Sequence, residues 1–139
     1  MNEFNPNQPR PVSGARPQLG FIEAVKICVQ EKYCNFEGRA RRSEYWWFAL
    51  ANSIVSYVAG FIGGLISPTA YYVLAILVML GLLLPGLGVA VRRMHDIGKS
   101  GWWLLIGLIP IVGTIILIVW CCQDSQPQEN EYGPSPKYQ

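Results

Sequence analysis

The chain has 139 residues, of which 51% are hydrophobic and 14% charged, with a formal net charge of +2 at pH 7. That length fits one domain, the charged share is too low for an ordinary soluble surface, and so small a net charge gives no sign of a nucleic-acid partner. The four cysteines, Cys28, Cys34, Cys121 and Cys122, and the single histidine fall in no ligand spacing, so neither a metal site nor a cofactor is expected.

Residues 1–18 are rich in Pro, Asn and Gln and lack an apolar run, which predicts a disordered tail and no cleavable signal peptide. Residues 19–33 follow with Phe21, Ile22, Val25, Cys28 and Val29 on one helical face and Glu23, Lys26 and Gln30 elsewhere. The segment is too short and too charged to span a bilayer. It predicts an amphipathic helix lying at the interface, with packing on its own bundle or on another subunit as the alternative.

From Tyr45 to Cys122, the ionisable side chains other than Tyr and Cys fall only between Arg92 and Lys99. Apolar runs of that length need an apolar solvent. Three spans are predicted, at 45–66, 70–91 and 102–122, each about twenty residues and so roughly 30 Å long as a helix. Backbone groups in lipid must bond within the span. The predicted fold is therefore all-α, an integral-membrane three-helix bundle over residues 19–122, followed by a polar tail containing Pro and Gly over 123–139.

In the first span, Asn52, Ser56, Gly60 and Gly64 recur every fourth residue and form a candidate helix-packing seam, toward another helix of this chain or of a second copy. Pro85 and Pro110 each remove a backbone donor and favour kinks in the second and third spans.

Cations set the predicted orientation. Arg10, Arg16, Lys26, Lys32, Arg39, Arg41 and Arg42 precede the first span, the link 67–69 is uncharged, and Arg92, Arg93 and Lys99 crowd the next link. The tail carries Lys137 against Asp124, Glu129 and Glu131. Positive charge stays inside, which predicts a cytoplasmic N-terminus and an external C-terminus. Trp46, Trp47, Trp102 and Trp103 would then be inner interface anchors, with Tyr71, Tyr72 and Trp120 at the outer interface and the two cysteine pairs on opposite sides.

Around the inner interface stand Arg39, Arg41, Arg42, Arg92, Arg93 and Lys99, against Glu37, Glu44 and Asp96. Glu44 lies one turn from Arg41 and Asp96 one turn from Arg92, and Glu44 is also within reach of Arg92 or Arg93 across helices. Either pattern leaves positive charge over. Guanidinium forks match phosphates, so this cluster is the candidate lipid-headgroup or partner site. Arg41, Arg42, Arg92 and Arg93 would contact the phosphate, with Glu44 and Asp96 orienting them. His95 beside Asp96 invites acid–base chemistry, but neighbouring helical residues point apart and no nucleophile accompanies them, so no enzyme is expected. The letters Gly98-Lys99-Ser100 lack the Gly of a phosphate-binding loop five positions before Gly98, where Arg93 stands.

The stretches FEGRARRSEYWWF from Phe36, VRRMHDIGKSGWWLL from Val91, LIPIVG from Leu108 and NEYGPSP from Asn130 together resemble the DUF805 family of small bacterial inner-membrane proteins, over residues 20–138. The chain departs from that pattern at Glu131, where the family commonly has Arg, and at Ser135, where it commonly has Asp. The resemblance implies a multi-pass protein of the bacterial inner membrane and supplies no activity, cofactor or catalytic residue. The expected function is a non-enzymatic membrane component that binds anionic lipid or a membrane-protein partner, possession of a homo-oligomeric state being open. The alternative is an oligomeric small transporter or channel.

Overall fold

The computed structural model describes Gly14 and residues 16–138; the tail expected over 1–18 lies almost wholly outside them. Among the described residues the chain is all-helical, with no strand. Helix α1, Phe21–Lys26, continues through a wider π turn at Ile27–Glu31. Helix α2 is Arg42–Ile66 and α3 is Pro68–Asp96. After them come a 3-10 segment, Gly101–Leu108, and α4, Val112–Cys122.

Helices α2 and α3 form an antiparallel hairpin around Ser67, whose hydroxyl accepts the Ala70 N–H at 3.0 Å while Pro68 starts α3, where an N–H is not needed. The turn brings the two backbones together at Gly63, where a Cβ would stand 2.7 Å from the Tyr71 Cα. Gly60 meets the Tyr71 ring, whereas Gly64 faces open space. The close seam is thus made within the chain by Gly60 and Gly63. Gly64, expected in it, points outward because a tight hairpin selects the face toward its own second helix.

Pro85 sits inside α3 without breaking it. A proline cannot bond the carbonyl four residues back, here that of Gly81. The Tyr33 hydroxyl donates to that carbonyl at 2.5 Å, so a residue outside the helix replaces the missing donor. A Tyr33→Phe variant is expected to lose about 1 kcal/mol, and the loss should vanish when Pro85→Ala restores the helix's own donor. Thermal melts of the two single variants and the double variant in detergent check this.

The expected third span is not one helix. Pro110 and Ile111 break it: Ile111 takes φ 66° and ψ −67°, and the Val112 N–H bonds back to the Pro110 carbonyl at 2.7 Å, a γ-turn that a β-branched residue adopts only under strain. The two arms fold back on one another. Gly113 packs so closely on Ile106 that a methyl there would overlap its carbonyl oxygen. Trp103 and Trp120 meet edge to face with centroids 5.8 Å apart, where one straight helix would hold them roughly 26 Å apart. Among the described residues only α2 and α3 are long and apolar enough to cross a membrane.

The fold-back overturns two further expectations. Trp120 shares an end with Trp103 and not with Tyr71 and Tyr72. The tail returns to the end that carries Arg39 and Asp96, so it does not lie opposite the N-terminal arm, and the Arg16 N–H bonds the Lys137 carbonyl at 2.7 Å. Both cysteine pairs also lie at this end: Cys28 approaches Glu44 and the Cys121 carbonyl approaches Arg93. All four cysteines are free.

Helix α1 buries Ala24 and the π turn after it buries Cys28, with Ala40, Phe48 and Val89 joining Cys28 in one core cluster, while Ile22 is 75% exposed. A second cluster, Met94, Ile97 and Cys121, lies under the folded-back arms. Most of the remaining apolar surface on α2 and α3 is uncovered, as a lipid-facing surface would be.

Candidate functional site

The arginines gather where α2 begins and α3 ends. Glu44, in the first turn of α2, pairs with Arg92 across the helix interface, and the Glu44 and Arg92 side chains are 5% and 0% exposed. Arg92 Nε and Nη2 have no partner among the described residues, so Glu44 is the only carboxylate paired with this buried cation. Cys28 donates to the same carboxylate at 3.8 Å. Burial first, and then the Glu44 charge, push its thiol up to about 12, which makes it an inert packing residue.

Asp96 organises the second cluster. Its side chain is 0% exposed. One oxygen accepts from Arg39 Nε at 3.1 Å, and the other accepts from Arg93 Nη1 and the Ser125 hydroxyl, each at 2.5 Å. Two guanidiniums thus share one carboxylate. Their remaining donors go to backbone carbonyls: Arg39 to Asp96, Gln126, Gln128 and Gly133, and Arg93 to Ala40, Cys121 and Gln123.

These bonds change the meaning of the excess charge. Arg39, Arg92 and Arg93 are buried, and carbonyl oxygens of the C-terminal tail occupy donors of Arg39 and of Arg93, the second of which was expected to contact a phosphate. The charge surplus read from the sequence is real. The tail folds back to satisfy it, a path that no pattern in the residues marks.

The tail is shaped for that role. Asn130 and Gly133 exchange backbone bonds of 3.1 and 3.0 Å, and the Asn130 side chain accepts the Tyr132 N–H at 2.9 Å. Gly133 has φ 119°, a region that side chains disfavour. Tyr132 stacks flat on His95 at 3.9 Å, and the Asn130 amide donates to the His95 carbonyl. His95 Nδ1 lies 3.0 Å from the Gly38 carbonyl and must donate there. Its neighbour Asp96 faces the arginines, so the two form no acid–base couple. Ser135 accepts from the Lys137 and Tyr138 backbone N–H groups, a bond that an Asp at this position would also make.

The other predicted cations lie outside these two ion-pair clusters. Arg41 is buried, and its guanidinium holds the Pro17 and Arg16 carbonyls. Arg42 is 45% exposed and reaches Asp124 at 3.4 Å and the Cys122 carbonyl at 3.3 Å. Lys137 also pairs with Asp124, at 2.7 Å. Burial alone would raise the Asp124 pKa, but bonds from Lys137, Tyr138 and the Ser125 N–H outweigh it and hold the carboxyl at about 2. Lys99 lies over the Trp120 ring, 4.6 Å from its centroid.

Arg41, Arg42 and Lys137 line one rim of a groove of about 550 Å³ that continues onto Trp46, Trp47 and Leu50. The Trp46 indole donates to the Cys121 carbonyl and the Trp47 indole to the Leu19 carbonyl. Trp102 is 79% exposed on the 3-10 segment and outside this groove. Asn52, Ser56 and Gly60 line a separate groove between α2 and α3 with Tyr71, Ala75 and Met79. Among the described residues no three His, Cys, Asp or Glu side chains come together as a metal site.

A family model described as "Protein of unknown function (DUF805)" matches residues 33–134. The chain is 41% identical over 119 residues to inner membrane protein YhaH of Escherichia coli (strain K12), covering 78% of this chain and 93% of that one. It is 38% identical over 112 residues to inner membrane protein YhaI of the same strain, covering 81% and 94%. No solved structure matches.

Proposed function

We propose a lipid-binding role from one premise: the chain belongs to the DUF805 family of inner-membrane proteins. In this reading α2 and α3 cross the membrane, with the arginine-bearing end in the cytoplasm as the distribution of cations favours. The protein is a non-enzymatic component that holds the phosphate of an anionic phospholipid at that end.

One observation carries the reading. Arg42 and Lys137 share the single carboxylate of Asp124 at a groove that runs onto Trp46, Trp47 and Leu50. Unbalanced positive charge beside aromatic and apolar surface suits a ligand with a phosphate at one end and acyl chains at the other. The buried arginines keep the scaffold, and the cations at the groove, Arg42 and Lys137, meet the ligand.

Native mass spectrometry of the detergent-purified protein tests this, with wild type beside an Arg42→Gln/Lys137→Gln variant. Neither substitution touches the buried pairs, so the variant should fold. Retention of phosphatidylglycerol over phosphatidylethanolamine is expected to fall roughly tenfold or more, since a charge-assisted contact is worth on the order of 1.5 kcal/mol. Equal retention in both proteins would refute the groove as a headgroup site.

A further inference from the structure

The geometry points to residues 101–122 as a re-entrant hairpin that enters and leaves one leaflet from the arginine-bearing end, its outer surface covered by the acyl chains of that leaflet alone. The protein would then cross the bilayer twice and carry both tails on one side.

Length is the first argument. Eight residues of 3-10 helix at about 2.0 Å each and eleven of α-helix at about 1.5 Å each both reach roughly 16 Å. That is half of a hydrocarbon core about 30 Å thick. The apex at Pro110 and Ile111 would sit near the midplane.

Anchors supply the second argument. The hairpin starts and finishes among interfacial groups: Trp103 and Trp120 have centroids 5.8 Å apart, and Lys99 stands 4.6 Å from the Trp120 centroid. Indoles and a cation of this kind settle at headgroup depth. Past Trp120, the Cys121 carbonyl returns to Trp46 and Arg93, at the start of α2 and the end of α3.

The apex also goes most of the way to meeting the demand that hydrocarbon makes on a backbone. Irregular chain is excluded from lipid because its polar groups go unbonded. Here the Ile109 N–H bonds Ile106, Val112 bonds Pro110 and Gly113 bonds Ile109, and Pro110 brings no N–H at all. The side chains there are apolar and open, with Leu108 80% and Ile111 75% exposed. Three of the four backbone N–H groups at the apex are bonded inside the hairpin, and this apolar tip fits acyl chains as the occupant.

Site-specific labelling with a membrane-impermeant maleimide tests the inference on the full-length chain in intact spheroplasts and in inverted vesicles. The background carries Cys34→Ser and Cys122→Ser, leaving Cys28 and Cys121, which are buried. Glu37→Cys and Glu129→Cys are expected to label from the same side and Thr69→Cys from the other. Ile111→Cys should resist labelling from both sides, and a nitroxide placed there should report a depth near the bilayer centre. Labelling of Glu129→Cys from the side of Thr69→Cys would overturn the inference. Efficient cross-linking of two copies through Leu108→Cys would overturn it as well, by showing a second chain where the acyl chains belong. Neither outcome depends on whether the basic groove holds a lipid.

Discussion

Replacing Asp96 with Ala is expected to destabilise the protein by about 3–5 kcal/mol and to free its C-terminal tail. Removing one partner of a buried ion pair leaves the other charged, desolvated and unpaired. Here the substitution strands two guanidiniums at once, Arg39 and Arg93, and also removes the acceptor of Ser125. Thermal unfolding in detergent reads the first effect, and limited proteolysis within residues 123–138 reads the second. If that variant does not accumulate, Ser125→Ala separates the two effects, because it removes one hydrogen bond from the tail, about 1 kcal/mol, and leaves both ion pairs in place. Unchanged tail protection in both variants would show that Asp96 does not hold the tail.

Gly113→Ala is the second large effect expected. The added methyl would overlap the Ile106 carbonyl oxygen, and backbone on both sides of the contact cannot swing aside as a side chain can. Overpacking of this sort costs on the order of 1–3 kcal/mol, and the arms must separate to relieve it. Separation exposes Cys121, now 3% exposed, so its rate of modification by a thiol reagent is the readout. Gly64→Ala makes the same chemical change at a glycine with nothing within 4 Å. It should be neutral or slightly stabilising, as exposed helical Gly→Ala changes are. Equal behaviour of the two variants would mean that the arms are not closed on each other.

The helical class, the two long apolar helices and the gathering of arginines were all legible in the residues. Hydropathy reports which segments avoid water, and it reported 45–66 and 70–91 within a few residues of the hydrophobic parts of α2 and α3. It cannot report the path of a segment that stays apolar throughout. Residues 101–122 have the length of a span, and only the Pro110–Ile111 turn, with Gly107 and Gly113 where the arms pack together, converts them into a fold-back. Pro110 was visible as a kink; the size of the bend was not, because it depends on a contact between arms that no local pattern encodes.

The expected separation of the two ends of the chain is not seen for the same reason, since residues 101–122 double back and bring the tail to the end that carries Arg39. Within the cluster, reach across helices put Glu44 within range of Arg92, and that pair forms. The carbonyl acceptors from residues 121–133 were invisible, because every residue has a carbonyl and no side-chain motif marks one. The turn-forming Asn130 and Gly133 around Tyr132 were the available signal that the tail is shaped and not merely polar.

The Arg39 and Arg93 network joins residues that are made at very different times. At about 5–20 residues per second, the carbonyls that take up their spare donors emerge a few seconds after α3. The Arg92–Glu44 pair can close as soon as α2 and α3 meet, whereas Arg39 and Arg93 share the Asp96 carboxylate and wait for residues 121–133 to bring their remaining acceptors. A later-made part of the chain is therefore the clasp of an earlier one, and a ribosome that stalls just after α4 would leave in the membrane an unfinished protein whose Arg39 and Arg93 lack most of their carbonyl partners.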